Sequence, residues 1–197
     1  MSEVIKKYQV ILADPPWRFG SRGIKNGKFQ KLETEYATLS IKEIADLPVR
    51  YNTDTDAVLF LWVTSAHLLC AQQVIEAWGF KYVRIDAVWD KVTSDGKRAA
   101  TVGPWGMNDV EVLLFATKGT CLKYQKVNNL FQHVTAIRAG HSEKPEVFRR
   151  RIEQRFPTMQ PRLEMFARRP APAWDVWGLE APGSVPLMSN NWEVTGH

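Results

Sequence analysis

The hydrophobic positions of the chain form continuous runs of strand length, rich in branched and aromatic residues, instead of alternating with polar ones. Such runs indicate strands that are buried on both faces of a sheet. Six segments have this pattern: Tyr8 to Ala13, Ala57 to Thr64, Tyr82 to Trp89, Glu111 to Thr117, Arg162 to Ala167 and Trp174 to Trp177.

Helix signals lie between these runs, in the form of capping residues, an opening proline and stop residues. They predict three helices: from Ser40, with Glu43 completing a capping box, to Leu47; from Ser65 to Trp78, with a stop at Gly79; and from Pro145 to Pro157. Strands that alternate with helices predict an α/β fold with a mostly parallel central sheet flanked by helices.

Two long stretches, Arg18 to Thr34 and Val92 to Asn108, resist assignment to helix or strand. Each follows the C-terminal end of a predicted strand, where open α/β sheets build their ligand sites, so we expect functional loops there. The 197 residues fit a single domain, which we place at residues 1–181. The aperiodic segment 182–197 is predicted to be a flexible C-terminal tail.

Cysteine and histidine usage argues against a metal site or a disulfide framework. Cys70 and Cys121 stand far apart, no CxxC pair occurs, and the chain has four histidines. The N-terminal residues lack an apolar signal region, and the longest apolar run, Ala57 to Val63, is far shorter than the ~20 residues that cross a bilayer. The expectation is a cytoplasmic protein with no metal and no membrane partner.

Charge and aromatic content favour a nucleic-acid partner. Lys+Arg 26 against Asp+Glu 21 gives a net charge of +5, which suits a partner that carries phosphates. Eight tryptophans offer flat faces on which bases can stack, although core packing is the better account of most of them.

The most informative segment is the apolar run Tyr8 to Ala13 with the four residues that follow it, Asp14-Pro15-Pro16-Trp17. Two successive prolines cannot continue a sheet ladder, so the strand must end there. The strand tip then displays a carboxylate, backbone carbonyls that no ladder N–H occupies, and a large ring. Asp14 and the Pro15 carbonyl could accept the two N–H bonds of an exocyclic amino group while Trp17 stacks on the base. The alternative is a Pro-Pro turn that only closes a buried strand.

This tetrad after a first strand resembles the catalytic signature of amino-directed, S-adenosylmethionine-dependent methyltransferases. From about Tyr8 to Glu180 the chain is similar to the adenine N6-methyltransferases of the MT-A70 family, in their bacterial or phage form. Six further blocks match in order: Tyr36 to Ser40, Leu59 to Thr64, Trp105 with Asn108 and Glu111 leading into Leu114 to Gly119, His141 to Pro145, Leu163 to Arg169, and Trp174 to Gly178. The resemblance implies a Rossmann-like methyltransferase fold with a permuted motif order, in which the catalytic strand comes first and the cofactor-binding strand last.

The resemblance also implies S-adenosylmethionine as cofactor, with a defined set of contacts. These are Asp14, Lys144, Phe166, Arg168, Arg169 and Glu180. Asp14 would meet the amino group of the methionine part and Lys144 its carboxylate, the turn after the fifth apolar run would hold the adenosine, and Glu180 would reach the ribose hydroxyls. The family usually has Asn at the position of Leu179, so one polar contact to the nucleoside is absent here and cofactor binding could be weaker.

The expected substrate contacts are the tetrad's tryptophan, residues of the two long loops and the block around Glu111. They are Trp17, Arg22, Lys25, Lys28, Tyr36, Trp105, Asn108 and Glu111. Cations mixed with aromatic rings are typical of a loop that tracks phosphates and stacks on bases. A solvated loop is the alternative for the basic residues among them.

The expected activity is methyl transfer to the 6-amino group of adenine in DNA, with RNA as the second candidate. Cytosine N4 methylation uses the same amino chemistry and stays open. Methylation at carbon 5 of cytosine requires a cysteine that follows a proline, which neither Cys70 nor Cys121 does. No G-x-G-x-x-G occurs, which argues against nicotinamide chemistry. A non-catalytic nucleic-acid-binding subunit is the alternative from another class, and the choice between monomer and homodimer stays open.

Overall fold

The computed structural model describes residues 6–18, 22–25, 28–31, 38–103, 105–138, 143–178, 181–188 and 193–194, and it describes 22–25, 28–31 and 193–194 by their backbone alone. The strands in this part of the chain are β1 (Tyr8–Ala13), β2 (Arg22–Lys25), β3 (Lys28–Lys31), β4 (Thr53–Val63), β5 (Lys81–Val92), β6 (Thr101–Val102), β7 (Met107–Asn108), β8 (Val110–Lys118), β9 (His133–Ile137), β10 (Arg162–Met165), β11 (Asp175–Trp177), β12 (Leu187–Met188) and β13 (Glu193–Val194). The helices are α1 (Ile41–Ala45), α2 (Ala71–Ala77) and α3 (Glu146–Arg155), and short 3₁₀ helices lie at Pro48–Asn52, Ser65–His67 and Leu122–Tyr124.

Seven of the strands form one sheet in the order β11-β10-β1-β4-β8-β5-β9. Every neighbouring pair is parallel except the two pairs that involve β8. The prediction of an α/β fold with a mostly parallel central sheet is confirmed, and all six apolar runs lie in this sheet. Sequence reasoning missed β9, an edge strand whose residues alternate between exposed and half-buried and so form no continuous apolar run.

The pleat of the central strands sends alternate side chains into two separate cores. On one face Ile11 and Leu59 pack with residues of α1 and α2, and on the other face Leu12 and Phe60 pack with Phe148 of α3. Burying one side chain of this size contributes roughly 1.5–3 kcal/mol. The central strands are therefore buried on both faces, as their continuous apolar runs predicted.

The order in which the chain adds strands to the sheet reverses at β1. The chain passes from β1 to β4 on one side, whereas β10, on its other side, comes near the end of the chain, so that Val10 pairs with Arg162. Open α/β sheets hold their ligands outside the carboxyl ends of the strands at such a switch point. Asp14 follows β1 and Phe166 follows β10, so these two residues flank the crevice.

The predicted capping box at Ser40 is present. Its hydroxyl accepts the Glu43 N–H, and the Glu43 carboxylate accepts the Ser40 N–H. Helix α1 then ends at Ala45, two residues before the predicted Leu47. Capping boxes are local, so the sequence alone determines where such a helix begins.

The prediction of one helix from Ser65 to Trp78 is wrong. The chain makes a 3₁₀ helix at Ser65–His67, without a side-chain cap, and α2 begins only at Ala71. The His67 ring contacts the carbonyl of Arg18, a residue outside this segment. A contact with a residue distant in sequence therefore competes with the continuous helix. Helix α2 nevertheless ends where predicted, before a glycine with positive φ.

Both stretches that resisted assignment contain a hairpin, formed by β2 with β3 in one and by β6 with β7 in the other. The described part of the segment predicted to be a tail packs on the domain. Leu187 is fully buried, and the Asn52 amide bonds the backbone of Met188 through both its oxygen and its nitrogen. The flexibility of the remaining tail stays a prediction.

Gly119→Ala is expected to lower the free energy of unfolding more than Gly96→Ala does. Both glycines have positive φ, 69° and 77°, which costs a residue with a Cβ about 1–2 kcal/mol. A Cβ on Gly119 would also lie 2.3 Å from the Thr55 carbonyl oxygen, whereas nothing lies within 4 Å of one on Gly96. Overpacking should therefore add about 1–3 kcal/mol at Gly119. Urea unfolding measures both variants, and equal losses would contradict the close approach.

Candidate active site

The chain turns sharply after β1, and hydrogen bonds within the tetrad and to Leu39 fix the turn. The Trp17 N–H donates to the Pro15 carbonyl at 2.8 Å, and the Leu39 N–H donates to the Pro16 carbonyl at 2.9 Å. The expectation of free carbonyls is corrected, because the Trp17 N–H occupies one of them and the N–H of Leu39, which forms an isolated parallel bridge with Trp17, occupies the other. A carbonyl oxygen has two lone pairs, so Pro15 can still accept one further N–H.

Trp17 is buried, with 5% of its surface exposed. Its indole N–H donates to the Trp62 carbonyl at 3.0 Å, and its ring stacks on His67 with centroids 5.3 Å apart. One ring nitrogen of His67 is 2.9 Å from the Thr64 hydroxyl and the other is 3.2 Å from the Arg18 carbonyl. Trp17 thus anchors the turn, and the stacking of a base on its ring stays a prediction. Nothing in the surrounding sequence singles out His67.

Four side chains of alternating charge form a continuous row at the carboxyl end of the sheet, called here the charge row: Asp14, Lys144, Glu111 and Lys91. The Lys144 ammonium is 2.6 Å from Asp14 Oδ2 and 3.1 Å from Glu111 Oε2. The Lys91 ammonium is 2.6 Å from Glu111 Oε1. The row carries no net charge, and each of its charged groups has a counter-ion beside it at a largely buried edge.

Exposure differs along the charge row. The side chains of Lys91, Lys144 and Glu111 are 10%, 14% and 17% exposed, whereas that of Asp14 is 31% exposed. Asp14, which flanks the crevice by its position after β1, is therefore the member of the row that is most accessible, and the other three are more deeply buried.

The pleat of β5 and β8 explains one half of the charge row. Trp89 of β5 pairs in register with Glu111 of β8. Side chains two residues apart on a strand share a face, so Lys91 lies diagonally beside Glu111 on the face that carries Trp89. Sequence reasoning missed Lys91, although a lysine at an inward position of a buried strand is a signal that could have revealed it.

The other half of the charge row crosses a strand. Asp14 follows β1 and Glu111 lies on β8, with β4 between them in the sheet. Lys144 precedes α3, and its ammonium lies 5.5 Å from the centre of the Trp62 ring of β4. One cation therefore spans β4 and links two acids on strands that are not neighbours.

Partial removal from water and ion pairing shift three pKa values of the row. Burial raises the pKa of Asp14, and the cations Lys144 and Arg168 offset only part of this rise. Burial also acts to raise the pKa of Glu111, but Lys144 and Lys91 outweigh it and the pKa is lowered. Burial acts to lower the pKa of Lys144, but its two carboxylate partners outweigh it and the pKa is raised. Asp14 is thus the acid of the row that is shifted towards protonation.

The turn after β10 forms the other wall of the crevice. Phe166 has a φ of 61°, and its ring meets that of Trp177 edge-on with centroids 5.1 Å apart. Arg169 forms an ion pair with Glu143. A phenylalanine in the left-handed region is strained, and strain of this kind clusters at ligand sites.

The structure brings three of the expected site residues into direct contact, namely Asp14, Lys144 and Glu111. Trp105 lies between the two strands of the β6–β7 hairpin and is 99% exposed, and Asn108 lies on β7. Six positions lie outside what the structure describes, three by their side chains and three entirely: Arg22, Lys25 and Lys28, and Tyr36, Leu179 and Glu180.

Two kinds of structural feature are absent from the part of the chain that the structure describes. No helix there has the length and apolarity needed to span a membrane. No group of three or more His, Cys, Asp or Glu side chains there is placed to hold a metal ion.

Residues 8–180 match the profile of the family described as MT-A70. The chain is 34% identical over 203 residues to the type II methyltransferase M.MunI of Mycoplasma sp, a match that covers 96% of this chain and 84% of the relative. It is 27% identical over 168 residues to a probable N(6)-adenosine-methyltransferase MT-A70-like of Oryza sativa subsp. japonica, covering 84% of this chain and 22% of the relative. It is 26% identical over 190 residues to the N(6)-adenine-specific methyltransferase METTL4 of Mus musculus, covering 89% of this chain and 38% of the relative. The chain thus spans most of the Mycoplasma protein and less than half of the two eukaryotic ones.

Asp14→Asn and Glu111→Gln are expected to change stability with opposite signs at pH 7. The pKa of Asp14 is raised in the folded state, so its contribution to stability is lost as the pH rises from the unfolded value of about 3.9 through the folded pKa. The Asn side chain does not ionise and so avoids this loss. The urea midpoint of Asp14→Asn should therefore equal or exceed that of the wild type. The pKa of Glu111 is lowered, so its contribution is complete above the unfolded pKa, and Gln should lower the midpoint.

Urea unfolding at pH 4, 5 and 7 checks both signs. The urea midpoint of Asp14→Asn should rise relative to that of the wild type as the pH rises. The amount by which the midpoint of Glu111→Gln lies below that of the wild type should shrink as the pH falls. If the urea midpoint at pH 7 fell further in Asp14→Asn than in Glu111→Gln, the directions of the two pKa shifts would be wrong.

Proposed function

The chain belongs to the MT-A70 family, and we propose that it uses S-adenosylmethionine to methylate the 6-amino group of adenine in DNA. One observation carries this proposal. The Asp14 carboxylate follows a central strand at the switch point of the sheet, flanks the crevice and is held by Lys144. A carboxylate fixed in this way suits the orientation of an amino group.

The strand tip can prepare an amine for methylation. Asp14 and the second lone pair of the Pro15 carbonyl can each accept one N–H, which directs the lone pair of the amine nitrogen away from both acceptors. When bound, S-adenosylmethionine would supply an electrophilic methyl group, whose bond to sulfur breaks with the electron pair left on sulfur. The amine nitrogen becomes cationic as its new bond to carbon forms, and it must then release a proton. Asp14 lies where it can hold the amine and receive that proton, and its raised pKa favours the transfer.

The residues present fit the cofactor that the family implies. Its methionine end carries an ammonium and a carboxylate, and Asp14 and Lys144 offer the opposite charges 2.6 Å apart. The two residues can bind these groups while they stay side by side, with Asp14 on the ammonium and Lys144 on the carboxylate. The second oxygen of Asp14 then stays available to the amine. Phe166, Arg168 and Arg169 follow β10 and are assigned to the adenosine, and Glu180 to the ribose.

DNA is the first candidate substrate because of how the relatives align. The Mycoplasma relative, named a type II methyltransferase, is matched over most of both chains. The relative named for N(6)-adenosine is matched over 22% of its own length, which makes RNA the second candidate. The intact tetrad and charge row favour an active enzyme over a non-catalytic subunit.

The β6–β7 hairpin offers a surface for nucleic acid. β5 runs parallel to β1, because β8 is antiparallel to both β4 and β5, so β5 ends at the same edge of the sheet as Asp14. The hairpin follows β5 and exposes Val102, Trp105 and Met107 by 80%, 99% and 60%. An exposed tryptophan at this edge suits stacking on an unpaired base, as the sequence predicts for Trp105.

Product analysis tests the proposed function. The protein is incubated with S-adenosylmethionine and matched DNA and RNA oligonucleotides, which are then digested to nucleosides for mass spectrometry. N6-methyldeoxyadenosine from DNA is the expected product. Methylcytosine, or a product from RNA alone, would overturn the proposal, and cofactor binding without transfer to either would favour the non-catalytic subunit.

Asp14→Asn is expected to reduce methyl transfer at least ~10²-fold, because the variant loses the acceptor that orients the amine and takes its proton. Asp46→Asn is the matched control, since that carboxylate pairs with Lys42 on the exposed surface of α1 and should leave turnover unchanged. Circular dichroism confirms that both variants are folded. Turnover near that of the wild type in Asp14→Asn would remove this residue from the mechanism.

Neutralising Arg22, Lys25 and Lys28 together is expected to flatten the salt dependence of DNA binding. Each phosphate contact that is lost should reduce the log–log slope by roughly 0.7–0.9. Fluorescence anisotropy of one labelled oligonucleotide across a salt series gives the slope, with Lys42→Gln as the control for a single exposed cation. An unchanged slope would show that the β2–β3 hairpin does not contact the backbone, and would leave the β6–β7 hairpin as the next candidate.

A further inference from the structure

Lys91 is the most buried cation of the charge row, although it does not contact Asp14. Its side chain is 10% exposed, and its ammonium lies 2.6 Å from Glu111 Oε1 and 5.2 Å from the centre of the Trp89 ring. An ammonium leaves water at this depth only when a counter-ion meets it. These contacts exclude an ordinary solvated lysine on the surface of a strand.

Glu111 gives each of its two oxygens to a different cation. Oε1 faces Lys91 at 2.6 Å, and Oε2 faces Lys144 at 3.1 Å. Because one oxygen is held by Lys91, the carboxylate cannot turn both oxygens towards Lys144. Without Lys91 it could do so, and the Lys144 ammonium would then be drawn away from Asp14.

Charge balance leads to the same consequence. Two cations and two anions make up the charge row, so the row is neutral only while Lys91 belongs to it. Loss of Lys91 leaves one uncompensated negative charge behind Asp14. That charge disfavours a second negative charge on Asp14.

We propose that Lys91 is a positioning residue, which holds one oxygen of Glu111 and thereby keeps the Lys144 ammonium between Glu111 and Asp14. The inference rests on the proposed function, because Lys144 must stay in place when Asp14 turns an oxygen towards an amine. Lys91 contacts no reacting group itself. Its influence passes through two ion pairs.

The charged groups around Asp14 come from three directions. Lys144 precedes α3, Glu111 lies on β8 and Arg168 follows β10. Glu164 of β10 also interacts electrostatically with Asp14, and it is paired with Arg149 of α3 at 2.8 Å. Lys91 reaches Asp14 only through Glu111 and Lys144. Its removal should therefore change the arrangement of these two groups and leave Arg168 and Glu164 unaltered.

Two substitutions at Lys91 separate charge from packing. Lys91→Met removes the ammonium and keeps an unbranched chain against the Trp89 ring, whereas Lys91→Arg keeps the charge. Methyl transfer is measured for both from pH 5.5 to 9. Lys91→Met is expected to lower kcat about tenfold at pH 7, to move the acid limb of the kcat profile to higher pH and to leave KM for DNA within about twofold. Lys91→Arg should restore the limb of the wild type.

A double variant gives a test of sign. Lys91→Met with Glu111→Gln removes both members of the rear ion pair, so Asp14 is the acid of the charge row that remains beside Lys144. The acid limb should then move to lower pH, opposite to its movement in Lys91→Met. Limbs that stay at the wild-type position, or that move together, would overturn the proposal. The double variant also decides the question if Lys91→Met does not fold.

Calorimetry with S-adenosylhomocysteine supplies a measurement that needs no turnover. In Lys91→Met, displacement of Lys144 should raise the Kd of S-adenosylhomocysteine about tenfold. In Lys91→Arg, this Kd should stay near the wild-type value. Lys42→Met, which removes a lysine that is 83% exposed, is the control for loss of a cation. An unchanged Kd in Lys91→Met overturns the positioning role. Absence of transfer by the wild type to any nucleic acid would instead end the proposed function, and the calorimetric comparison would still decide the role of Lys91.

Discussion

A carboxylate at the end of a central strand stays ionised only beside a cation, and the rest of this site depends on how that cation is supplied. Lys144 supplies it from the segment before α3, across the intervening strand. Helix α3 is fixed to the sheet by Phe148, whose ring meets the Trp62 ring edge-on with centroids 4.7 Å apart. The aromatic core under α3 therefore determines where the ammonium can lie, and with it the state of Asp14.

The same arrangement shows a compromise between stability and function. A solvent-exposed aspartate ionises more easily than Asp14, because burial raises the pKa of Asp14. Under the proposed function Asp14 takes up a proton and gains from such a shift, whereas the folded state loses stability by it. Glu111 compensates in the opposite direction, since its two cations make it the more easily ionised acid.

Features that depend on local sequence were predictable, and features that depend on register were not. Continuous apolar runs revealed the buried strands, because both faces of each strand pack. The helix predicted from Ser65 failed because the His67 ring bonds a backbone carbonyl far away in sequence. Asp14 was indicated by its place after a strand that two prolines end, whereas Lys144 was reached through a family resemblance, and their contact follows from the packing of α3. Lys91 escaped notice because its partner lies on another strand, and one sequence does not reveal which residues pair across a sheet.

The pairing of β1 with β10 has a consequence for synthesis of the chain. β1 is synthesised before the other strands of the sheet, yet one of its two edges has no partner until β10 has been made. A nascent chain that ends before β10 already contains every member of the charge row. It lacks the second wall of the crevice, however, and its open strand edge can pair with another chain. The acid is therefore present before the crevice is complete, and translation of β10 supplies the missing wall of the candidate site.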